Sequence, residues 1–283
     1  MKILITGARG FLGSRLAAYF KDKYEVWAPS HAEFDFTEED LTMAALQKFR
    51  PDVVLHCGAI SDVGVCEKNP ELSMKVNVLG TLYLARACNA VGSRLIYCSS
   101  DQVYFVNPRE GMCEAEFLKP HTEAETLEPL PLYGQHKLMA EKSAMEACPD
   151  TIALRLTWMY DYLTDREMAN GRRNLLTMVT DAIAAKEQMI FSETDFRGVT
   201  DVNEVVRNME LLWTLPAGIY NFGSSNDTSM YGTMLRILQG TDAEHMLTKT
   251  QGSTLRNLTM DLDKLEAEGI FFSKSGDNLK KYL

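Results

Sequence analysis

The sequence predicts an α/β fold, in which a doubly wound parallel sheet is covered by helices on both faces and followed by a smaller C-terminal lobe. Through the first half of the chain, short continuous apolar runs alternate with segments of helical periodicity. This alternation is typical of parallel strands that crossover helices bury on both faces. The composition agrees, since 46% of the 283 residues are hydrophobic and 24% are charged, as in globular chains of one large or two modest domains.

Apolar or β-branched runs predict the strands of this first half. The runs are KILIT (2–6), YEVWA (24–28), DVVLHCG (52–58), RLIYCSS (94–100) and TIALRLTWMY (151–160). Helical spacing between the runs predicts helices over 11–23, 37–49, 70–91 and from Tyr133 to Ala147. The helix over 37–49 begins with a threonine and early acidic residues, which is a usual start signal.

Beyond residue 160 the alternation weakens. Helical stretches near 174–186, 201–214, 229–239 and 261–268 surround one short strand at 218–222. No internal repeat or low-complexity linker marks this part of the chain. We therefore predict a first domain over 1–158 and a smaller lobe over 159–283 that is partly interwoven with it.

Charge and hydropathy argue against two classes of partner. The net charge of −10 disfavours nucleic acid, whose phosphates require a basic surface. The chain has no run of about 18 apolar residues, so we expect no membrane span. The segment MKILITGARG is too short and too glycine-broken for a signal peptide.

The cysteines predict the redox compartment. Six are scattered without a CxxC pair, and several lie in apolar runs such as VVLHCG and LIYCSS. We expect buried free thiols in a reducing cytoplasm, with neither disulfides nor a zinc site. No cluster of His, Asp or Glu has ligand spacing, so we predict no metal.

A glycine-rich turn, TGARGFLG, joins the first strand to the first helix. Its glycines, Gly7, Gly10 and Gly13, allow a tight turn and a close approach of backbone N–H groups to a pyrophosphate. The helix N-terminus adds partial positive charge. We therefore predict a Rossmann-type dinucleotide-binding domain whose turn, including Arg9, Phe11 and Leu12, contacts the coenzyme. The alternative is a turn of this kind that binds no nucleotide.

The stretch after the second strand, WAPSHAEFDF, bears on the choice between NAD and NADP. An acid usually stands here to hold the ribose 2′-OH of NAD, but Ser30 and His31 come first, with Glu33 and Asp35 later. Arg9 could contact a 2′-phosphate through a bidentate interaction. The pattern favours NADPH over NADH, although Arg9 can equally be a solvent-exposed charge.

Tyr133 and Lys137 stand four residues apart in PLYGQHKLMAEK, near the start of a predicted helix. Residues at this spacing share one helix face. A solvated polar face is the ordinary explanation of such a pair. Taken alone, the spacing does not establish a catalytic site.

Several segments together resemble the extended short-chain dehydrogenase/reductases and, within them, the dTDP-4-dehydrorhamnose reductase group. The segments are TGARGFLG, FDFTEEDL, PDVVLHCGAISDVGVCEKNPELSMKVNVLGTLYLARAC, LIYCSSDQVY, PLYGQHKLMAEK, LRLTWMY and LRNLTMDLDKL. They cover most of the chain in the family's order. The long middle segment is the most specific of them.

The resemblance implies that Ser100, Tyr133 and Lys137 are catalytic, with Ser99 as the neighbouring candidate for the serine. Hydride transfer to a ketone builds negative charge on its oxygen, which Tyr133 would protonate. A tyrosine pKa is ordinarily about 10, so the Lys137 cation would stabilise the phenolate and also hold the nicotinamide ribose. Ser100 would hydrogen-bond the carbonyl, or serve only as a turn hydroxyl.

The resemblance also implies further contacts. Those predicted for the coenzyme are His31, Asp35, Phe36, Cys57, Gly58 and Ala59, together with Tyr133 and Lys137. Those predicted for the substrate are Ser61, Val63, Ser100, Asp101 and Trp158, although Trp158 can equally be core. Asn77 matches a position that usually has a structural role, and Arg256 and Asn257 match a late motif whose proline is replaced by Leu255.

Three departures from the family pattern concern the substrate. Gln102 stands where the family has an aromatic residue, the loop from Phe105 to Pro131 is long, and FRGVTDVNEV lacks the family's proline while keeping Phe196, Gly198 and Thr200. Long loops near a site are often lids or specificity elements. We therefore expect a nucleotide-linked 4-keto-6-deoxysugar, as in dTDP-rhamnose biosynthesis, without fixing which sugar.

Three functions compete at this point. The first is an NAD(P)H-dependent reductase of such a keto-sugar. The second is an epimerase or dehydratase on the same scaffold, which would keep its coenzyme tightly bound. The third is a non-catalytic regulatory subunit like the β subunit of methionine adenosyltransferase. The oligomeric state is open, a homodimer being one candidate.

Overall fold

The computed structural model describes residues 1–252 and 254–283. The strands are β1 (Lys2–Thr6), β2 (Glu25–Trp27), β3 (Val53–His56), β4 (Arg94–Ser100), β5 (Thr151–Leu156), β6 (Trp158–Tyr160), β7 (Met189–Ser192), β8 (Asp195–Arg197), β9 (Val199–Asp201), β10 (Gly218–Phe222), β11 (Leu247–Thr250) and β12 (Arg256–Leu258). The α-helices are α1 (Phe11–Phe20), α2 (Glu39–Phe49), α3 (Val63–Lys68), α4 (Pro70–Ser73), α5 (Gly80–Val91), α6 (Glu114–Phe117), α7 (Leu132–Ala147), α8 (Asp165–Ala169), α9 (Leu175–Ala185), α10 (Val202–Met209), α11 (Met230–Leu238) and α12 (Asp263–Glu266). A π-helical turn spans Met74–Leu79, and single 3₁₀ turns cover Asp101–Tyr104, Glu210–Trp213, Glu244–Met246 and Leu279–Tyr282.

The chain forms two compact units. The first comprises Met1–Val103, Thr126–Arg155 and Met209–Tyr220, and the second comprises Tyr104–Glu125, Leu156–Asn208 and Asn221–Leu283. Each unit therefore contains several separate stretches of sequence. The division into 1–158 and 159–283 stays a prediction about the functional domains.

A six-stranded sheet organises the first unit, in the order β10-β5-β4-β3-β1-β2. β1 pairs in parallel with both β2 and β3, and β3 pairs in parallel with β4. The predicted doubly wound α/β fold is confirmed. From β1 the chain moves outward to β2 and then crosses to β3 on the other side, which creates a switch point between β1 and β3. Ligands of open parallel sheets bind at such a point, beyond the carboxyl ends of the strands.

The core of this unit lies between the sheet and its helices. Leu4, Val54 and Leu95, from three neighbouring strands, pack with Leu46 of α2 and Leu84 of α5. All five side chains are fully buried. The continuous apolar runs seen in the sequence are these buried strands.

The predicted helix over 70–91 is helical but not regular. α4 leads into the π-helical turn Met74–Leu79 and then into α5. α3 was not predicted from the sequence; it begins at Val63, and the side chain of Asp62 caps it by accepting a hydrogen bond from the N–H of Val65. Single π-helical turns are frequent at functional sites, and this one contains Asn77.

The predicted strand over 151–160 is interrupted, so that β5 ends at Leu156 and β6 begins at Trp158. The residue between them, Thr157, belongs to the second unit and packs closely against two glycines of that same unit. A Cβ on Gly198 would lie 2.7 Å from Thr157 Cγ2, and one on Gly223 would lie 2.5 Å from Thr157 Oγ1. β6 then pairs with β9 instead of continuing the large sheet.

The second unit contains three two-stranded sheets, formed by β11 with β7, β12 with β8 and β6 with β9. Five of these strands were not predicted, because each has only three or four residues: β7, β8, β9, β11 and β12. The predicted helices near 174–186 and 229–239 are confirmed as α9 and α11. None of the helices in the described part of the chain is long and apolar enough to cross a membrane.

Candidate active site

The glycine turn after β1 is built by backbone contacts that leave no room for side chains. Gly7 has φ +65, and a Cβ there would lie 2.6 Å from the backbone N of Gly58. A Cβ on Gly13 would lie 2.3 Å from the carbonyl oxygen of Gly7, which accepts the N–H of Gly10 at 2.8 Å. The turn thus packs tightly on the loop after β3 and leads into α1, as a pyrophosphate site requires.

The other predicted residues of the turn have different surroundings. Phe11 and Leu12 are buried, so only their backbone N–H groups, in the first turn of α1, are suited to an anion. The guanidinium of Arg15 stacks on the Phe11 ring at 4.0 Å. Arg9 is exposed, and its charge helps to lower the pKa of Glu33.

The acidic stretch after β2 is held by local hydrogen bonds. Glu33 accepts from the N–H and the hydroxyl of Ser30 at 2.8 and 2.7 Å. These two bonds are the main reason why the pKa of Glu33 is lowered. Asp35 accepts from the N–H and the hydroxyl of Thr37, at 2.9 and 2.7 Å. The exposed His31 ring lies 3.8 Å from the Asp35 carboxylate.

A buried histidine supports the loop after β3. His56 lies between Thr6 Oγ1, 2.7 Å from Nδ1, and Thr81 Oγ1, 3.0 Å from Nε2. Burial lowers the pKa of His56 to about 3, with a smaller effect from the charge of Lys137, so the ring is neutral. The N–H of Gly58 donates to Thr6 Oγ1 at 3.2 Å, which ties the loop to β1.

The remaining coenzyme predictions fall on this loop. The ring of Phe36 is buried, and it packs so closely that a Cβ on Gly58 would lie 2.6 Å from it. Cys57 follows β3, and its sulfur lies 3.6 Å from that of Cys98 on β4. Ala59 is half-buried. Cys57, Gly58 and Ala59 thus follow the carboxyl end of β3 directly, and their contact with a coenzyme stays a prediction.

Asn77 fixes the next part of the loop. Its amide forms two hydrogen bonds with the backbone of Ile60, accepting the N–H at 2.9 Å and donating to the carbonyl at 3.0 Å. Ser61, predicted to face the sugar, is exposed, and Val63 is half-buried at the start of α3. The segment that carries both is therefore anchored by a side chain from the π-helical turn.

The two neighbouring serines at the end of β4 have different partners. Ser99 donates to Glu141, which is fully buried and paired with Arg155 at 2.8 Å. The side chain of Ser100 instead lies beside that of Tyr133 and acts to lower the pKa of its phenol. Ser100 Oγ donates its proton to Asp101 Oδ1 at 3.2 Å. Of the two, Ser100 is the serine that the structure brings to Tyr133.

Tyr133 lies in the first turn of α7 and is 6% exposed. Burial raises its pKa well above the ordinary tyrosine value; the nearby Ser100 hydroxyl opposes this rise, and the charge of Asp101 adds to it. This upward shift of the Tyr133 pKa is opposite to the shift that a nearby cation alone would cause. Tyr133 therefore rests as a neutral phenol, which is the form that can donate a proton.

Lys137, one turn further along α7, is almost fully buried. Its Nζ donates to the carbonyl oxygen of Cys98 at 2.8 Å and lies 5.7 Å from the centre of the Tyr133 ring. Burial lowers the pKa of Lys137 to about 8. At neutral pH it is a buried cation beside the phenol.

Close backbone packing sets the position of Tyr133, a feature that the sequence analysis did not single out. A Cβ on Gly134 would lie 2.4 Å from the carbonyl oxygen of Gln102. The N–H of Gln102 in turn donates to Ser100 Oγ at 3.2 Å. The first turn of α7 and the serine are thus held to the same short stretch of backbone.

Trp158 lies on β6, in the second unit, and is half-buried. The guanidinium of Arg197 lies over its ring at 5.2 Å, and the ring also packs on the apolar core of that unit. Trp158 therefore packs on the core of the second unit and also has a cation over one face of its ring. Its predicted contact with substrate stays a prediction.

The late motif and the long loop after Phe105 are held by hydrogen bonds within the second unit. Arg256 forms a two-point ion pair with Asp195. Asn257 donates to the carbonyl oxygens of Phe117 and Lys119, at 2.8 Å each. His121, in the same long loop, lies 2.8 Å from the carboxylate of Glu125. The long loop after Phe105 is thus fastened at its middle.

Among residues 1–252 and 254–283, no three His, Cys, Asp or Glu side chains are grouped so that they could hold a metal ion. The serine, tyrosine and lysine gathered at the end of β4 are the chemically distinctive cluster of the first unit.

Comparison with known proteins assigns the chain to a family. The family model of the RmlD substrate binding domain matches residues 1–261. The chain belongs to this family. Within the RmlD family, it is 26% identical to the dTDP-4-dehydrorhamnose reductase of Aggregatibacter actinomycetemcomitans over 253 residues, which cover 87% of this chain and 81% of that protein.

One further relative and one solved structure are similar to the chain over most of its length. The dTDP-4-dehydrorhamnose reductase of Streptomyces griseus is 30% identical over 235 residues, covering 80% of this chain and 71% of that protein. A dTDP-4-dehydrorhamnose reductase of Bacillus anthracis, solved in complex with NADP, has the same fold, with a TM-score of 0.83 at 19% identity over 99% of this chain and 96% of that one.

Proposed function

We propose that this RmlD-family chain is an NADPH-dependent reductase of a nucleotide-linked 4-keto-6-deoxysugar, of the dTDP-4-dehydrorhamnose type. The observation that carries the proposal is the cluster of Ser100, Tyr133 and Lys137: the Ser100 side chain lies beside the buried phenol, and the buried Lys137 cation, fixed on the Cys98 carbonyl, lies one helical turn away. The names of its relatives supply the substrate class. The glycine turn, closed to side chains at Gly7 and Gly13, fits the pyrophosphate of a dinucleotide.

In the proposed reduction of the carbonyl, Tyr133, Ser100 and Lys137 have different roles. A bound nicotinamide coenzyme supplies the hydride. Tyr133, held as a neutral phenol by burial, donates its proton to the carbonyl oxygen as negative charge develops there. Ser100 donates a hydrogen bond to the same oxygen and fixes its orientation. Lys137 stabilises the phenolate that remains, because a buried ammonium attracts a nearby anion more strongly than an exposed one does.

The experiment that tests this function is product analysis with the purified chain, NADPH and dTDP-4-dehydrorhamnose generated in place. The reductase proposal predicts consumption of one NADPH for each sugar nucleotide, with a product two hydrogens heavier than the substrate. An isomeric product without net NADPH consumption would indicate an epimerase instead. Coenzyme binding without turnover of any 4-keto-6-deoxy sugar nucleotide would contradict the reductase and support a regulatory role.

The preference for NADPH is part of the proposal and rests on Arg9. The guanidinium is exposed beside the turn, whereas the nearest acid, Glu33, is turned back onto Ser30. A 2′-phosphate at this place could therefore pair with the Arg9 guanidinium, while the Glu33 carboxylate stays bound to Ser30.

Arg9→Ala should accordingly weaken NADPH binding by about tenfold, the effect of losing one charge-assisted contact, and change NADH binding little. Arg207→Ala, which removes an exposed arginine from α10, controls for the change in net charge. Equal weakening of both coenzymes by Arg9→Ala, measured by fluorescence titration, would contradict the assignment.

A further inference from the structure

His136 occupies an unusual place in α7. It lies between Tyr133 and Lys137 in sequence, yet its ring is only 3% exposed. Its Nδ1 lies 2.8 Å from the hydroxyl of Ser73, the last residue of α4. Ser73 is itself fully buried. The helix that carries the tyrosine and the lysine is therefore tied to another segment by a buried hydrogen bond.

The direction of this hydrogen bond follows from a third residue. The side-chain N–H of Asn77 donates to Ser73 Oγ at 3.1 Å, so Ser73 accepts there and uses its single proton elsewhere. That proton is available for His136 Nδ1, which leaves the imidazole proton on Nε2. Burial lowers the pKa of His136, against the opposing charge of Glu67, which agrees with a neutral ring that accepts.

The same asparagine continues the connection to the loop after β3. Asn77 holds Ile60 at both its N–H and its carbonyl. His136, Ser73, Asn77 and Ile60 thus form an unbroken series of hydrogen bonds from α7 to the segment 57–63. A second tie lies nearby, since the N–H of Leu132 donates to Glu67 Oε1 at 2.8 Å.

We propose that His136 and Ser73 are positioning residues of the active site, which hold α7 in register with the segment 57–63. The inference rests on the proposed reductase function for its catalytic consequence, because α7 carries Tyr133 and Lys137 while the segment 57–63 carries predicted coenzyme and sugar contacts. Proton donation depends on the alignment of these two parts, and a shift of about 1 Å can cost about 100-fold in rate. In the part of the chain that the structure describes, the hydrogen bonds of these two side chains join them to each other and to Asn77, and none joins them to Tyr133 or Ser100.

The test compares four single variants, and the double variant of Ser73→Ala with His136→Leu, with the wild type. Ser73→Ala removes the hydroxyl, His136→Leu removes the acceptor, and His136→Asn keeps an acceptor close to the place of Nδ1. Ser143→Ala is the matched control, because that hydroxyl lies on the same helix and donates only to the carbonyl of Ala140. Coenzyme-binding sites are counted by NADPH fluorescence, so that kcat refers to folded sites and a loss of folded protein does not lower it.

The proposal predicts that Ser73→Ala and His136→Leu each lower kcat per site by about 10- to 100-fold, while NADPH binding changes less than about threefold. His136→Asn should regain most of the loss, and the double variant should lose less than the product of the single losses, since both break one connection. Ser143→Ala should behave as the wild type. A kcat per site within about twofold of wild type in Ser73→Ala overturns the proposal.

A readout independent of turnover separates this inference from the proposed function. Hydrogen exchange should show faster exchange at 133–138 and at 58–63 in Ser73→Ala, but not in Ser143→Ala. If the wild type is inactive on every keto-sugar, the reductase proposal fails. Hydrogen exchange then still tests whether His136 and Ser73 hold α7 to the segment 57–63. Unchanged exchange at both segments in Ser73→Ala would overturn the connection whatever the activity.

Discussion

Lys137 donates a 2.8 Å hydrogen bond to the backbone carbonyl oxygen of Cys98, so the ammonium of α7 is fastened to β4 inside the protein. The contact explains how a lysine can remain buried at this position: the carbonyl satisfies one of its protons, while burial lowers its pKa to about 8. The cation on which the proposed chemistry depends therefore has a defined place and a limited pH range.

The first prediction concerns that pH range. Lys137 is charged below about pH 8, so kcat/KM of the wild type should fall as the pH rises through that value, because this quantity reports the free enzyme. Lys137→Met should lower kcat/KM by about 100-fold or more and remove this inflection. Initial rates from pH 6 to 10 test it. The same inflection in Lys137→Met would show that another group titrates.

The second prediction concerns Gly134, where a Cβ would come within 2.4 Å of the carbonyl oxygen of Gln102. Gly134→Ala must push α7 away from that backbone, at a cost of about 1–3 kcal/mol of unfolding free energy. Because Tyr133 is the preceding residue, kcat should fall as well. Urea unfolding and steady-state rates check both effects, with Lys142→Ala as the control on an exposed site of the same helix. Unchanged stability in Gly134→Ala would contradict the packing described.

The third prediction separates two glycines with positive φ. Gly7→Ala places its Cβ against the backbone of Gly58, whereas Gly92→Ala meets nothing within 4 Å. Both variants carry backbone strain of about 1 kcal/mol or more, but only Gly7→Ala should lose NADPH affinity, by at least about tenfold. Fluorescence titration and thermal unfolding distinguish the two effects. Full affinity in Gly7→Ala would argue against coenzyme binding at this turn.

The fourth prediction concerns the buried pair behind the site. Glu141 Oε2 accepts from Arg155 Nη2 at 2.8 Å, and both side chains are almost fully buried. Glu141→Gln leaves the Arg155 charge without its counter-ion and should lower the unfolding free energy by about 3–5 kcal/mol. The double variant Glu141→Leu with Arg155→Met should be less destabilised than the single one. Chemical denaturation measures this, and a loss below about 1 kcal/mol in Glu141→Gln would contradict it.

Much of the first unit could be predicted from sequence because its signals are local. Continuous apolar runs gave the strands of the parallel sheet, and the position of the glycine triplet, between an apolar run and a helical one, gave the turn. The short strands of the second unit could not be predicted, since three or four residues carry no period. Their pairing depends on partners far along the chain, as for β12 with β8.

The candidate site likewise contains residues that the local sequence predicts and residues that it does not. Ser100, Tyr133 and Lys137 came from a motif that a family shares, and the structure brings Ser100 together with Tyr133. His56, Ser73, Gly134 and His136 were missed because each acts through a contact with a residue distant in sequence. For Gly134 the sequence held a weak signal, a glycine within the first turn of a helix, where it is otherwise unfavourable.

The central claim is that Tyr133 is the proton donor of a keto-sugar reductase. The most direct measurement is the rate of NADPH consumption with dTDP-4-dehydrorhamnose for the wild type, Tyr133→Phe and a control, Tyr83→Phe, which changes a half-buried tyrosine on α5. The account predicts turnover by the wild type and the control, and a loss of about 100-fold or more in Tyr133→Phe with NADPH binding retained. Turnover by Tyr133→Phe at the wild-type rate would contradict it.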